Sequence, residues 1–191
     1  MREYLKVPSA LSFRLASRDD AVCLHALGTQ VFLETYATEG IRPSLAREAQ
    51  SHSSVGVFER LLTDAQVRIL LAETNGHLVA FAEVHLRATQ ALVTDQPAAE
   101  LVRLYVQSPF LRRGIGAQLL RRSESTARDS GAVALWLTAW SGNARARAFY
   151  VACGYEDLGA TSYAIENETY ENRVFVKSVA NSAPTETRSV R

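Results

Sequence analysis

Two short stretches carry residue types and spacings that chemistry could use. The first runs Leu104-Tyr105-Val106-Gln107-Ser108-Pro109-Phe110-Leu111-Arg112-Arg113-Gly114-Ile115-Gly116-Ala117, and it joins an apolar run to a helical pattern. Pro109 cannot donate to a strand ladder and biases Ser108 away from helix, so the strand ends there. Beyond the glycines, Ile115, Leu119, Ser123 and Ala127 recur at helical spacing. A strand, a glycine turn and a helix aim main-chain N–H groups and a helix dipole at one point, which suits an anion such as a pyrophosphate. Gly114 and Gly116 let backbone approach it, and Arg112 and Arg113 add charge at the rim. Two familiar phosphate loops do not match. The G-x-G-x-x-G fingerprint fails at Leu119, and no Gly-Lys-Ser/Thr follows.

The second stretch runs from Asn143 to Tyr155. Asn143 is an expected helix N-cap, Ala146, Phe149, Tyr150 and Cys153 form an apolar side, and Gly154 is a C-terminal stop. Structure alone accounts for each of these residues, but the two stretches in this order say more.

Together they resemble the GCN5-related N-acetyltransferase (GNAT) superfamily. Val106 lies eight residues before Gly114, the family's spacing between its fourth strand and its Q/R-x-x-G-x-G/A loop. The later pattern N-x-x-A-x-x-F-Y-x-x-x-G-F/Y is met by Asn143, Ala146, Phe149, Tyr150, Gly154 and Tyr155. Leu111 departs from the pattern, standing where glutamine or arginine is usual. The resemblance covers Glu100 to Val179 best, then the first strand and hairpin, and is weakest between Tyr36 and Leu62.

The resemblance implies acetyl-CoA as co-substrate. Its pyrophosphate is expected on the amides of Arg112, Arg113, Gly114, Ile115, Gly116 and Ala117, next to Leu111. Its pantetheine arm is expected between splayed fourth and fifth strands, along Leu104, Tyr105 and Val106, with Asn143 and Ala146 opposite. The Val106 N–H would polarise the thioester carbonyl, and Tyr150 would protonate the leaving thiolate. The reaction implied is direct attack by an amine, which must first lose a proton to a base.

Glu100 is the expected base, six residues before Val106; two-residue alternation puts it on one face with Val102, Leu104 and Val106. Glu83 is the alternative and His85 a poorer one, while His25, His52 and His77 read as ordinary surface or turn residues. Phe32-Leu33-Glu34-Thr35-Tyr36, Leu101 to Val106, and a late hairpin with Glu166, Glu168 and Glu171 look like the bacterial spermidine/spermine acetyltransferase branch. That branch implies a polycationic acceptor; small-molecule amines such as aminoglycosides and peptide amines are the other candidates. A non-catalytic acyl-CoA-binding domain is the competing function, although it needs neither Tyr150 nor Glu100.

The elements that must position these residues follow from patterning. Leu11 to Leu15 alternates as a strand, and Ser17-Arg18-Asp19-Asp20 reads as a capping box opening a helix that fades near Tyr36. Helix restarts at Pro43-Ser44, and another piece covers Val57 to Leu62. Strands at Val67–Glu73 and Leu78–Leu86 flank Asn75-Gly76, a strong hairpin signal. Arg87 to Ala98 reads as loop, Glu100 to Val106 and Ala132 to Ala139 as strands, and Tyr155–Glu166 and Arg173–Val179 as a last hairpin around a polar turn at Asn167–Asn172. The expected class is α/β (α+β): a mixed sheet with helices on both faces, in one domain over residues 1–179. Met1–Ala10 would be a lead-in and 180–191 a tail.

Of the 191 residues, 47% are hydrophobic and 21% charged, ordinary for a globular chain of this length. A net charge of +1 supplies no field for nucleic acid or an anionic membrane. Cys23 and Cys153 lie far apart without metal-ligand spacing, so no metal is expected. With no apolar leader segment, the expected setting is cytoplasmic. A homodimer is a possibility that only the resemblance suggests.

Overall fold

The computed structural model describes residues 10–94 and 96–180, so the expected lead-in at Met1–Ala10 and tail at 180–191 lie outside it except for Ala10 and Ala180. Its centre is a seven-stranded mixed sheet in the order β1-β2-β3-β4-β5-β7-β6. The strands are β1 (Leu11–Leu15), β2 (Val67–Thr74), β3 (His77–His85), β4 (Ala98–Val106), β5 (Ala134–Trp140), β6 (Glu156–Ile165) and β7 (Glu168–Ser178). Helices α1 (Ala21–Tyr36), α2 (Pro43–Ser53) and α3 (Val55–Leu61) precede β2; α4 (Ile115–Asp129) and α5 (Ala144–Ala152) flank β5.

The sheet separates two cores because its side chains alternate faces. On β2, Leu70 and Ala72 join the α4–α5 core, with Ile115, Leu119 and Tyr150. Ile69 and Leu71 instead join Leu24, Leu27 and Phe58 of α1 and α3. The apolar stripe read for α4 holds: Ile115, Leu119, Ser123 and Ala127 are all buried. Asn75 and Gly76 both take positive φ, 52° and 77°, as a type I′ hairpin requires.

Three local expectations change. The Ser17–Asp20 cap opens a 3₁₀ turn over Arg18–Asp20 that feeds α1, with the Ser17 N–H donating to Asp20 Oδ2 at 2.7 Å. The polar run Glu168–Asn172 is not turn but strand. Ile165 faces Glu168 directly, and the reversal is made by Glu166 (φ 52°) and Asn167 alone. Finally, β4 is not regular. Val84 pairs with Leu101 but Glu83 with Arg103, so Val102 is an extra, bulged residue.

That bulge resets the alternation. Ala99 and Leu101 point to the α4 core, and so do Leu104 and Val106 across the bulge. Glu100 therefore does not share a face with Leu104 and Val106, as plain alternation required. It lies opposite His85 and shares the other face with Arg103 and Tyr105.

The bulge also ends the parallel pairing. Between β4 and β5 only Ala98–Ala134, Ala99–Leu135 and Glu100–Trp136 are partners. Beyond Glu100 the strands splay, as expected, and leave a seam through the sheet.

Candidate active site

The seam begins where β4 ends. Gln107 N–H donates to Val79 O on β3 at 3.0 Å. Alternation along the ladder therefore turns the Val106 N–H to the opposite edge, into the seam. A 3₁₀ turn, Ser108–Phe110, carries the chain to Leu111, whose N–H still bonds Ser108 O at 3.3 Å. The next six amides, Arg112 to Ala117, have no backbone or side-chain acceptor among the described residues; pairing resumes with Gln118 N–H on Gly114 O at 3.1 Å.

These six groups belong to a run in which Arg112 (φ 59°) and Gly114 (φ 76°) both turn left-handed before α4 starts. Successive N–H groups in such a run converge to form an anion-binding nest, and the dipole of α4 adds to it. Gly114 is demanded by its φ. Gly116 is not demanded by protein atoms, since an added Cβ would sit an ordinary 3.7 Å from Val106 Cγ2 and 3.8 Å from Phe149. Its bare Cα matters only toward a guest. Arg112 and Arg113 are exposed at the rim, with the Arg113 guanidinium 5.2 Å from the Phe110 ring centre. Leu111 is half-buried beneath them.

The far wall is α5. Asn143 caps it as expected, its Oδ1 accepting from Ala146 N–H at 3.0 Å, so only the side-chain NH₂ is free for another partner. Tyr150 is 9% exposed and held by the rings of Phe149, Tyr155 and Phe175, with centroids 5.3, 5.9 and 5.9 Å away. Burial, then Tyr105, Cys153 and Tyr36, push its phenol well above the ordinary 10. Tyr36 and Tyr105 belong to the other side of the sheet. Its hydroxyl bonds to no described residue.

On the α1 face sits a second group. Glu83 is 1% exposed, and both its oxygens are engaged: Oε1 with His85 Nε2 at 2.8 Å, Oε2 with Arg103 Nη1 at 2.8 Å. Arg103 also donates to His52 O at 2.6 Å and packs over Phe58. The Glu83 contact raises the His85 imidazole above its ordinary 6.5. Glu100, opposite His85, is half-buried and makes no hydrogen bond to any described side chain. Desolvation raises its carboxyl above the ordinary 4.5, and His85 partly offsets this.

The sequence reading missed an aromatic wall on this face. Phe32 stacks on Tyr36 at 4.8 Å, Tyr36 on Trp140 at 5.6 Å, and Trp140 on Tyr170 at 6.4 Å. These rings come from α1, β5 and β7, and no spacing within one element announces them. One signal was available: Gly142, two residues after Trp140. An added Cβ there would lie 2.5 Å from Trp140 Cζ2, so the indole lies across a position that only glycine leaves open. His52 also belongs here rather than to plain surface, its Nε2 3.0 Å from Glu48 and 3.4 Å from the Tyr163 hydroxyl. His25 is structural, donating from Nδ1 to Ser53 O at 2.7 Å. Among the described residues no three His, Cys, Asp or Glu are grouped to hold a metal ion, and no helix is long and apolar enough to cross a membrane.

Comparison with known proteins adds an independent line. Residues 32–155 match the family model described as acetyltransferase (GNAT) family. An uncharacterized N-acetyltransferase of Mycobacterium tuberculosis is 27% identical over 135 residues, 71% of this chain and 82% of that protein. Aminoglycoside N(6′)-acetyltransferase type 1 of Stenotrophomonas maltophilia is 33% identical over 104 residues, 53% of this chain and 68% of that one. Among solved structures, PaiA N-acetyltransferase of Thermoplasma acidophilum in complex with coenzyme A superposes with a TM-score of 0.68 at 19% identity, covering 88% of this chain and 99% of that chain.

Proposed function

The chain belongs to the GNAT acetyltransferase family, and on that premise we propose that it moves acetyl from acetyl-CoA to a primary amine by direct attack. One observation carries the reading: an open seam in the sheet has six unclaimed amides at one end, Tyr150 on one side and Glu100 on the other. The residues fit the cofactor. The nest from Arg112 to Ala117 takes the pyrophosphate beside Leu111, with Arg112 and Arg113 screening its charge in place of the missing glutamine or arginine. The pantetheine arm runs along Leu104, Tyr105 and Val106, and the Asn143 amide and Ala146 meet it from α5. When bound, acetyl-CoA supplies an activated acyl group and a thiol leaving group.

The side chains do the rest. A substrate ammonium of ordinary pKa about 10 must lose a proton before it can attack. Glu100 accepts that proton, directly or through water, and its burial makes it a stronger base than a solvated carboxylate. Glu83 is the weaker candidate because its oxygens are already held by His85 and Arg103. The amine nitrogen then bonds to the carbonyl carbon as the carbon–sulfur bond breaks, and Val106 N–H holds the negative oxygen between. The second nitrogen proton passes, directly or through water, to the departing sulfur, so amide and free thiol are formed together. A phenol raised by burial stays protonated, so Tyr150 serves the departing sulfur as a hydrogen-bond donor rather than as the acid that the resemblance implies.

The experiment is calorimetric titration with acetyl-CoA followed by thiol release over a panel of amines. Tyr150→Phe is expected to slow thiol release about 10²-fold while acetyl-CoA affinity stays within about twofold. Unchanged turnover rejects the role of Tyr150. Tight acetyl-CoA binding with no thiol release from any amine would instead support a binding domain.

A further inference from the structure

The acceptor side of the seam has a distinctive charge pattern. Three carboxylates on it are buried or half-buried: Glu48, Glu83 and Glu100. Glu48 is held by His52 and the Tyr163 hydroxyl, and Glu83 by His85 and Arg103. Two exposed carboxylates of the late hairpin are also neutralised. Glu168 forms a bidentate pair with Arg42, which also meets the Tyr170 hydroxyl, and Glu166 pairs with Arg47 at 2.7 Å. Glu166 and Glu168, two of the three hairpin glutamates whose number suggests a polycation in the sequence, are held by Arg47 and Arg42 instead, while Glu171 has no ion pair among the described residues. Among the described residues, Glu100 alone of the half-buried carboxylates of this wall has no partner.

The other property of the wall is its rings. Glu100 pairs with Trp136 on β5, and Trp140 lies four residues further along the same face. From there the half-exposed rings of Tyr36, Trp140 and Tyr170 run outward to the β6–β7 hairpin. Aromatic faces attract an ammonium and pack flat apolar bodies.

Resting on the acetyl-transfer reading, we propose that the acceptor is a primary amine with one positive charge on a flat, apolar body. Its body lies against Tyr36 and Trp140, and its nitrogen points to Glu100. Polycations are disfavoured toward the hairpin, where their further charges would meet Glu166 and Glu168 already paired with arginine. Arg42 and Arg47 are then specificity residues, acting by occupying Glu168 and Glu166.

The test compares kcat/KM for phenethylamine, tyramine, spermidine and kanamycin in the thiol-release assay, with acetyl-CoA binding followed by calorimetry. Phenethylamine or tyramine is expected to exceed spermidine and kanamycin at least about tenfold. Preference for either polycation overturns the proposal, and so does inertness of both flat amines in a protein that binds acetyl-CoA. A protein that fails to bind acetyl-CoA overturns the acetyl-transfer reading itself. The second arm is Arg47→Ala, chosen because Arg47 is exposed and its loss spares the fold. Freeing Glu166 is expected to raise the spermidine-to-phenethylamine ratio at least about threefold at low salt, with the gain lost at high salt. A ratio that does not move refutes the assignment of charge selection to these pairs.

Discussion

Gly142→Ala tests the aromatic wall most directly. Gly142 is not in the left-handed region, so alanine meets no backbone penalty there and the effect is steric. The new Cβ would stand 2.5, 2.7 and 2.8 Å from Cζ2, Cε2 and Cη2 of Trp140. Carbon atoms rest about 3.5 Å apart or more, so the indole must retreat by about 1 Å. It cannot do so freely, because Tyr36 and Tyr170 flank it at 5.6 and 6.4 Å. Overpacking of this kind costs about 1–3 kcal/mol, and a half-exposed ring places the cost near the lower end. Losing the ring's packing against a substrate is worth about 0.5–1.5 kcal/mol, or a rise of about two- to tenfold in phenethylamine KM. The nest lies on another element but Asn143, the proposed pantetheine contact, is the next residue, so acetyl-CoA affinity is the control that separates a moved indole from a moved Asn143. Urea unfolding, acceptor kinetics and calorimetry on the same preparation read all three quantities. Adding Trp140→Leu removes the clash and should restore most of the lost stability, a non-additive result. A Gly142→Ala protein with an unchanged urea midpoint and unchanged phenethylamine KM refutes the reasoning.

Two further outcomes are expected. Glu100 is raised by burial, so activity falls with decreasing pH through a value above the ordinary 4.5, and Glu100→Gln removes that limb along with most of the turnover. Because its folded value lies above the unfolded one, its contribution to stability is full below the unfolded pKa and is lost as pH rises; Glu100→Gln should therefore raise the urea midpoint at neutral pH and leave it little changed near pH 4, and the reverse pattern would contradict its burial as a charge. Gly114→Ala meets no atom within 4 Å but must hold φ +76°, a backbone cost of about 1 kcal/mol, and turning these amides should weaken acetyl-CoA binding about fivefold by calorimetry; unaltered binding would remove the nest from the site.

Much of the fold was legible because its signals are local. Asn75-Gly76 reverses a hairpin, Asn143 caps α5, Gly154 ends it at φ 84°, and the four-residue stripe on α4 is buried as written. The glycine loop after Val106 reads the same way, since left-handed φ values and free helix-end amides follow from short-range chain geometry. The aromatic wall and the place of Glu100 were not legible. The bulge at Val102 moves Glu100 across the sheet, and a residue count cannot reveal an inserted position that only cross-strand pairing defines. The polar run Glu168–Asn172 reads as turn until its pairing with β6 makes it strand.

The sequence by itself determined the strand–loop–helix that presents six amides, and the capped helix that carries Tyr150. Each depends on backbone preferences within a few neighbours. Tertiary structure alone decided which carboxylate is left unclaimed and what surrounds it. Arg47 finds Glu166 across 119 positions of chain and Arg42 finds Glu168 across 126, while Tyr36, Trp140 and Tyr170 meet from three elements. Such pairings depend on chain closure and packing, and the composition of the late hairpin suggests a charge of which the folded protein has already neutralised Glu166 and Glu168.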